Sequence, residues 1–198
     1  MAMATDSEPS APGGRFVWET DGDAAPRPHG NTYWLWPGRV LAGEHPAVGG
    51  TAMLDLRLRG LQAAGVTCCI DLTGAHDPAG AYQPLAVGSR PARRLPFGIA
   101  DFGVPSVLDM RQVLDAINEA LGAGERVFVH CRAGIGRTGV VAGCLLVEHG
   151  FTPAEALALV QRKYRSMTKS ALVPRSPETA GQRDFVAAWS PGKGRGGP

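Results

Sequence analysis

Length, composition and charge limit what this sequence can encode. The chain has 198 residues, of which 44% are hydrophobic and 19% charged, and its formal net charge is +2 at pH 7. A chain of this size can bury one good core, so a single domain is the simplest organisation. The small net charge argues against nucleic acid as a partner, and no stretch approaches the ~20 apolar residues of a membrane span.

Cysteine usage and the chain ends indicate the setting. The cysteines lack the spacing of a disulfide framework, and the N-terminus has no apolar leader segment. We therefore expect a reducing cytoplasm and, for the oligomeric state, a monomer. Residues 1–15 and 190–198 hold too little apolar surface to offset the entropy of ordering, which predicts flexible tails around a domain at 16–189. The excess of Arg over Lys, with abundant Ala and Gly, is typical of a GC-rich genome and suggests a bacterial source.

The first half of the domain alternates strands and helices. Three Trp residues lie among turn formers before residue 37, and core burial is favoured over a surface patch. Residues 39–43 read as a strand, 52–64 as an amphipathic helix ended by Gly65, and 66–72 as a strand buried on both faces. The Trp residues are Trp18, Trp34 and Trp36.

The middle of the chain contains two loops of interest. Residues 73–91 show no periodicity and leave the carboxyl end of a strand, where α/β sheets bind ligands. We expect a substrate-facing loop, and a solvated connection is the alternative for each of its candidate contacts. These candidates are His76, Asp77 and Tyr82. Residues 93–97 then predict a strand, 98–106 a loop, and 107–121 a helix capped by Ser106.

The central motif runs from an apolar strand at residues 127–131 through a glycine-rich loop into an apolar helix at 137–148. Such a loop can direct successive N–H groups into one concavity, and the helix start adds a partial positive charge. This arrangement predicts a cradle for an oxyanion. Its lining would be Arg132, Ala133, Gly134, Ile135, Gly136 and Arg137.

Three side chains around this loop carry the chemistry. Helix N-termini and nearby cations favour the thiolate form of a cysteine, so Cys131 is the expected nucleophile. Arg137 can bind two oxygens of a tetrahedral anion with its planar guanidinium. The Thr138 hydroxyl can stabilise the thiolate as a leaving group.

The segment HCRAGIGRTG resembles the signature of the cysteine-dependent protein phosphatases, both tyrosine-specific and dual-specificity. A bare Cys-x5-Arg would be weaker, because rhodanese-like sulfurtransferases and arsenate reductases carry versions of it. A structural cysteine beside a tight turn would explain neither Arg137 nor the glycines. With the alternation of elements, the expected fold is α/β: a single domain with a central, mostly parallel twisted sheet flanked by helices, and the phosphate-binding loop between a central strand and a helix.

The resemblance implies further roles. It assigns Asp101, in the loop upstream of Cys131, as the acid that protonates the leaving oxygen; Asp109 is a rival and Asp71 looks structural. The tyrosine-specific branch has Trp-Pro-Asp where Ile-Ala-Asp stands here. Gln182, in a Thr-x-x-Gln context, would position the hydrolytic water, against the alternative of an ordinary exposed Gln. His130 would fix the cysteine backbone.

The last segments are two helices joined by a basic stretch. Thr152, Pro153 and Glu155 predict a capped helix start, and the sequence from Ser176 to Thr179 repeats that pattern before a final helix. The basic residues either form a solvated helix end or a rim that attracts anionic substrate. They are Arg162, Lys163, Arg165, Lys169 and Arg175.

The expected activity is hydrolysis of phosphotyrosine in a protein substrate, extending to phosphoserine and phosphothreonine, through a phosphocysteine. The Lys-Asn-Arg-Tyr segment that deepens the pocket of tyrosine-specific relatives is absent. Alternatives are a phosphoinositide or inositol phosphate substrate, or a pseudophosphatase-like binding module. No cofactor or metal is implied, because the histidines are scattered. Cys68 or Cys69 could form a reversible disulfide with Cys131, although core burial is favoured.

Overall fold

The fold is built on a five-stranded sheet with helices on both faces. A computed structural model describes residues 15–19 and 26–194. The strands are β1 (Thr32–Trp36), β2 (Val40–Glu44), β3 (Cys68–Asp71), β4 (Arg93–Pro96) and β5 (Val127–Cys131). The helices are α1 (Phe16–Glu19), α2 (Thr51–Ala63), α3 (Val107–Gly122), α4 (Gly136–Glu148), α5 (Pro153–Tyr164) and α6 (Ala180–Ala187), with a 3-10 turn at Thr168–Ala171.

The strand order is β1-β2-β5-β3-β4, with β5 in the centre. Only β1 runs antiparallel to its neighbour, β2; the other pairs are parallel. The mostly parallel sheet predicted from the sequence is therefore confirmed. Because β2, β3 and β5 share one direction, their carboxyl ends meet at one edge, where Glu44, Asp71 and His130 are close in register.

Both faces of the sheet are buried except at the edge strand β4, and neighbouring residues of the central strands alternate between two cores. Val129 and Cys131 face the larger core, which includes apolar residues of α3, α4, α5 and α6. Phe128 faces the smaller core, which includes Leu58 and Leu61 of α2. This two-sided burial explains why the strand segments read as continuous apolar runs without alternation.

The helix caps follow the predicted chemistry with one exception. The hydroxyl of Ser106 accepts the N–H of Asp109 at the start of α3, and Thr152 forms a capping box with Glu155 at the start of α5. The prediction that Ser176 begins the capping pattern of the last helix is wrong. Thr179 is the N-cap of α6, because its capping box with Gln182 satisfies the first helical N–H groups.

Two other features differ from the sequence-based expectations. The strand β1 was not anticipated, because its aromatic residues are crowded between turn formers. Its Trp34, like Trp18 of α1, is buried, as predicted for the core.

Of the predicted tails, residues 1–14 and 195–198 lie outside the described residues, while residues 190–194 form turns in which the N–H of Gly192 donates to Glu148. None of the described helices is long and apolar enough to cross a membrane.

One close backbone approach fixes the glycine-rich loop against the sheet. Gly134 has φ of 75°, and an added Cβ would lie 2.3 Å from the carbonyl carbon of Gly43 on β2. The N–H of His45 also donates to the carbonyl of Arg132 at 3.2 Å. A side chain at residue 134 would therefore meet both backbone strain and a steric clash.

We expect Gly134→Ala to destabilise the protein by about 2 kcal/mol, because backbone atoms of β2 have to shift. For a domain of this size, that corresponds to a fall of roughly 4–8 °C in Tm. Thermal unfolding would measure it. Gly122→Ala is the matched control, since its added Cβ meets no heavy atom within 4 Å. A Gly134→Ala protein that melts with the wild type would contradict the packing described here.

Candidate active site

The candidate site lies where β5 ends and α4 begins. Cys131 is the last residue of β5 and is 2% exposed. Within the described residues, the N–H groups of Arg132–Thr138 have no hydrogen-bond acceptor, whereas the N–H of Gly139 donates to the carbonyl of Ile135. Unpaired amides at a helix start form the type of concavity that binds an anion. The structure thus brings Cys131 to the loop that the sequence predicted.

Arg137 is buried at this loop and makes many contacts through its guanidinium group. Its Nη1 donates to the carbonyls of Leu72 and Ile99, at 3.3 and 2.9 Å. Its Nη1 and Nη2 donate to the two carboxylate oxygens of Asp77, at 2.8 and 2.9 Å. Nη2 also donates to Oδ1 of Asp101 at 2.8 Å. The side chain is therefore fixed by the end of β3 and by two loops.

Of the three candidates in the loop at 73–91, Asp77 is the one that contacts Arg137. Its hydrogen bonds with Arg137 lower the pKa of its carboxyl group and outweigh the opposite effect of burial. The N–H of Gly74 donates to the same carboxylate at 2.8 Å. Asp77 therefore holds Arg137 in place, a role that the sequence did not define. His76, by contrast, is exposed and has no described contact.

Asp101 lies opposite Arg137 on the loop before α3. Its side chain is 47% exposed, so it can reach both Arg137 and solvent. The next residue, Phe102, has φ of 58°, an uncommon conformation for a non-glycine residue that often marks a functional loop. The rival Asp109 instead accepts the hydroxyl proton of Ser106 at the start of α3. Of the two acids, Asp101 is the one brought to the cradle.

His130 lies beneath the loop in a fully buried polar cluster. Its Nε2 is 2.6 Å from the hydroxyl of Tyr82, and its Nδ1 is 3.8 Å from Asp71. The prediction that Tyr82 could contact substrate is wrong, because Tyr82 is 4% exposed and faces His130. Arg94 binds Asp71 with two nitrogens at 2.6 Å, which supplies a counter-charge.

The same cluster contains His45, and together with Asp71 and His130 it could suggest a metal site. The side-chain atoms of these three residues are not free to bind a metal ion. The N–H of Ala47 donates to Nδ1 of His45, so the proton of the neutral ring lies on Nε2, the atom that faces Asp71. Oδ1 of Asp71 already accepts two hydrogen bonds from Thr73, and Oδ2 accepts one from Arg94 and also pairs with a second nitrogen of that guanidinium group. We therefore read the cluster as a structural support for the loop.

Gln182 and Thr138 are both buried beside the loop. The Gln182 side chain accepts the N–H groups of Glu178 and Thr179, and donates to the carbonyl of Gly103 near Asp101. It also lies against Gly136, where an added Cβ would be 2.7 Å from its oxygen. The hydroxyl of Thr138 has no hydrogen-bond partner in the described part of the chain. Gln182 is therefore near the predicted reaction centre but is engaged in capping.

Two further carboxylates near the site were not anticipated. Glu44, at the end of β2, is buried and binds Lys169 and Arg57. Burial raises the pKa of Glu178, and the nearby Asp101 carboxylate raises it further. Neither has a motif that sequence reasoning could identify, because their positions follow from the packing of distant segments.

The other cysteines lie away from Cys131. In the register of β3 with β5, Cys69 pairs with Phe128 and Cys68 with Val127, three and four residues before Cys131. At about 3.3 Å per residue, these separations exceed the Cα distance that a disulfide spans. All four cysteines are free and buried. The register therefore favours the core role over a disulfide switch with Cys131.

The buried histidines make stability depend on pH. Burial lowers the pKa of His130 to about 3 and that of His45 below its ordinary value of 6.5. The unfolded chain therefore takes up protons that the folded chain refuses, so stability is lost as the pH falls below about 6.5. We expect Tm to fall steadily from pH 6.5 to 4.5. Protonation of carboxylates with a lowered pKa, such as Asp77, destabilises the fold only below that range.

Thermal unfolding across this pH range, with the exposed-site variant His76→Asn as the control, would measure the effect. Both proteins should follow one curve. A Tm that stays constant between pH 6.5 and 4.5 would contradict the burial of neutral imidazoles.

Comparison with known proteins identifies relatives of this arrangement. The family model described as "Swiss Army Knife protein, DSP-PTPase phosphatase domain" matches residues 29–186. Dual specificity protein phosphatase CDC14AB of Danio rerio is 44% identical over 62 residues, which are 31% of this chain and 10% of that protein. Protein tyrosine phosphatase domain-containing protein 1 of Mus musculus is 35% identical over 100 residues, covering 48% of this chain and 12% of that protein. The matches thus span only about a tenth of each relative.

Solved structures share the fold. Tk-PTP in its active form superposes with a TM-score of 0.57 at 26% identity, covering 75% of this chain and 88% of that chain. PTPMT1 in complex with PI(5)P has a TM-score of 0.57 at 16% identity, covering 82% of this chain and 91% of that chain. The match of the family model over residues 29–186 shows that the chain belongs to the DSP-PTPase phosphatase domain family.

Proposed function

We propose that this chain is a cysteine-dependent phosphomonoesterase that hydrolyses phosphotyrosine, and also phosphoserine and phosphothreonine, in protein substrates. The observation that carries the proposal is the geometry at Arg137. A buried guanidinium group, held by Asp77, lies at a loop of unpaired N–H groups beside Cys131. These groups provide the hydrogen-bond donors that a phosphoryl group with a nearby nucleophile requires.

The first step is transfer of the phosphoryl group to the cysteine. The Sγ of Cys131 forms a bond to phosphorus while the bond to the leaving oxygen breaks. Arg137 and the N–H groups of Arg132–Arg137 bind the equatorial oxygens, so catalysis rests mainly on positioning and electrostatic stabilisation. Asp101 donates its proton to the leaving oxygen.

The second step is hydrolysis of the phosphocysteine. Asp101, now a carboxylate, takes a proton from water as the water attacks phosphorus, and the Cys131 thiolate leaves. The Thr138 hydroxyl, which is buried without a partner, is available to stabilise that thiolate. Gln182 lies beside Gly136 and would align the water after exchanging one of its capping hydrogen bonds. His130 supports the cysteine from below.

Substrate binding and release of the acid are coupled in this account. Nη2 of Arg137 donates to both Asp77 and Asp101. A bound phosphoryl group competes with the Asp101 carboxylate for that nitrogen, whereas Nη1 can keep its hydrogen bond to Asp77. Once substrate frees it from Arg137, Asp101 takes up a proton from solvent and turns towards the leaving oxygen, to which it donates that proton. The thiolate requires a reducing setting, which is consistent with the cytoplasm.

A phosphoinositide or inositol phosphate is the second candidate substrate. The observation in its favour is Arg132, an exposed cation within the loop that could contact a further phosphate group. PTPMT1, whose structure holds PI(5)P, shares only the fold at its level of identity. A binding module without activity is disfavoured, because Cys131, Arg137 and Asp101 are all present and adjacent.

Hydrolysis of a substrate panel tests the proposal. The panel contains phosphotyrosine, phosphoserine and phosphothreonine peptides, a phosphoinositide and an aryl phosphate, in reductant with chelator. We expect the highest kcat/KM on the phosphotyrosine peptide and loss of turnover in Cys131→Ser, since the alcohol is a far weaker nucleophile.

Cys144→Ser is the matched control, because Cys144 is a buried cysteine on α4 outside the loop. Activity that survives Cys131→Ser would overturn the mechanism. A preference for the phosphoinositide would move the assignment to the second candidate.

A further inference from the structure

A second concave surface lies near the candidate site. It is a cleft of about 450 Å³ between α5 and the segment that leads into α6. Three arginines line it together with small and apolar residues. The lining residues are Leu157, Ala158, Gln161, Arg165, Pro174, Arg175, Ser176 and Arg183. None of them is acidic, so the cleft carries an uncompensated positive lining.

Hydrogen bonds fix the walls of this cleft. The side chain of Gln161 on α5 donates to the carbonyl of Pro174 at 2.9 Å and accepts the N–H of Ser176 at 3.0 Å. Nη1 of Arg183 donates to the carbonyls of Pro177 and Glu178, both at 2.9 Å. The cleft is therefore a formed surface rather than a gap between mobile side chains.

Two of its arginines are available to a ligand. The guanidinium groups of Arg165 and Arg175 are exposed and have no hydrogen-bond or ion-pair partner within the described residues. Other members of the basic stretch are engaged in the fold: Lys169 pairs with Glu44, and Arg162 donates to the carbonyl of Glu19. Arg165 and Arg175 therefore fit the prediction of a rim that attracts anionic substrate, whereas Lys169 and Arg162 are used within the fold.

The cleft is connected to the candidate active site through Ser176. The hydroxyl of Ser176 donates to the carbonyl of Ile135 in the phosphate-binding loop at 2.8 Å, and the same residue lines the cleft. It also packs against Gly139 in the first turn of α4. A single segment of chain therefore contacts the phosphate-binding loop and forms a wall of the cleft.

We propose that this cleft docks an acidic segment of the phosphoprotein substrate. This inference rests on the proposed function, because it assumes a phosphoprotein substrate, but it concerns a surface other than the phosphate-binding loop. Arg165 and Arg175 would pair with Asp or Glu side chains, and Leu157, Ala158 and Pro174 would contact apolar side chains between them. A concave surface accepts a protruding chain, whereas a flat membrane surface would not enter it.

The experiment compares two matched phosphotyrosine peptides, one flanked by Asp and Glu and one flanked by Ser and Gly. We expect the double variant Arg165→Gln/Arg175→Gln to lower kcat/KM for the acidic peptide about tenfold, or two- to fivefold for each arginine, as for solvent-exposed ion pairs. Turnover of an aryl phosphate and of the neutral peptide should not change. Raised salt should weaken the acidic preference of the wild type.

The control variant is Arg59→Gln, an exposed arginine on α2. It removes one positive charge elsewhere, where the double variant removes two, and should behave as the wild type. A double variant that loses activity equally on the aryl phosphate would overturn the docking role, because the change would then act on the catalytic centre. Equal kinetics of wild type and double variant on both peptides would also overturn it.

A binding measurement separates this proposal from the phosphatase assignment. Fluorescence anisotropy of an unphosphorylated acidic peptide should report binding to the wild type and to Arg59→Gln, with weaker binding to the double variant, whether or not any phosphate ester is hydrolysed. Sedimentation with vesicles of anionic lipid tests whether the same arginines bind a membrane surface instead. Arginine-dependent binding to vesicles without binding to the peptide would overturn the proposal in favour of a membrane surface.

Discussion

The interaction between the Arg137 guanidinium group and its carboxylates is the one on which this site depends. Burial of a lone positive charge is costly, so Arg137 depends on the hydrogen bonds that Asp77, Asp101 and two backbone carbonyls accept from it. Those acceptors belong to the end of β3, the following loop and the loop of Asp101. The cation therefore joins segments that are distant in sequence, and it holds Asp101 where a phosphoryl group would replace it.

The sheet makes this arrangement possible. The central strand β5 is buried on both faces and delivers Cys131 and His130 to the edge where its parallel neighbours also end. Gly134 can then turn against the end of β2, a contact that leaves no room for a side chain. Beneath the loop, neutral histidines and the Arg94–Asp71 pair fill the space with polar groups, at a cost in stability at low pH.

Local chemistry explains what the sequence could predict. The contiguous motif, the helix caps at Ser106 and Thr152 and the two-sided strands depend on neighbours in the chain, so they are readable without a structure. Contacts between distant segments are not. Asp77 reaches Arg137 and Tyr82 turns inward to His130 because of how the loop at 73–91 folds back over the sheet, and that loop has no periodic pattern. The strand β1 was missed for a different reason. Its aromatic residues form a strand because they pair with β2, and this pairing is not visible in the local sequence.

Capture of the phosphoenzyme tests the central claim most directly. Asp101→Ala, mixed with an aryl phosphate whose leaving group needs no acid, should transfer the phosphoryl group but hydrolyse it slowly, because the base for the second step is missing. Mass spectrometry after rapid quenching should then find one phosphoryl group on the peptide that contains Cys131. Turnover by the wild type together with a phosphoryl group on another residue, or with none in the variant at any time, would contradict this account.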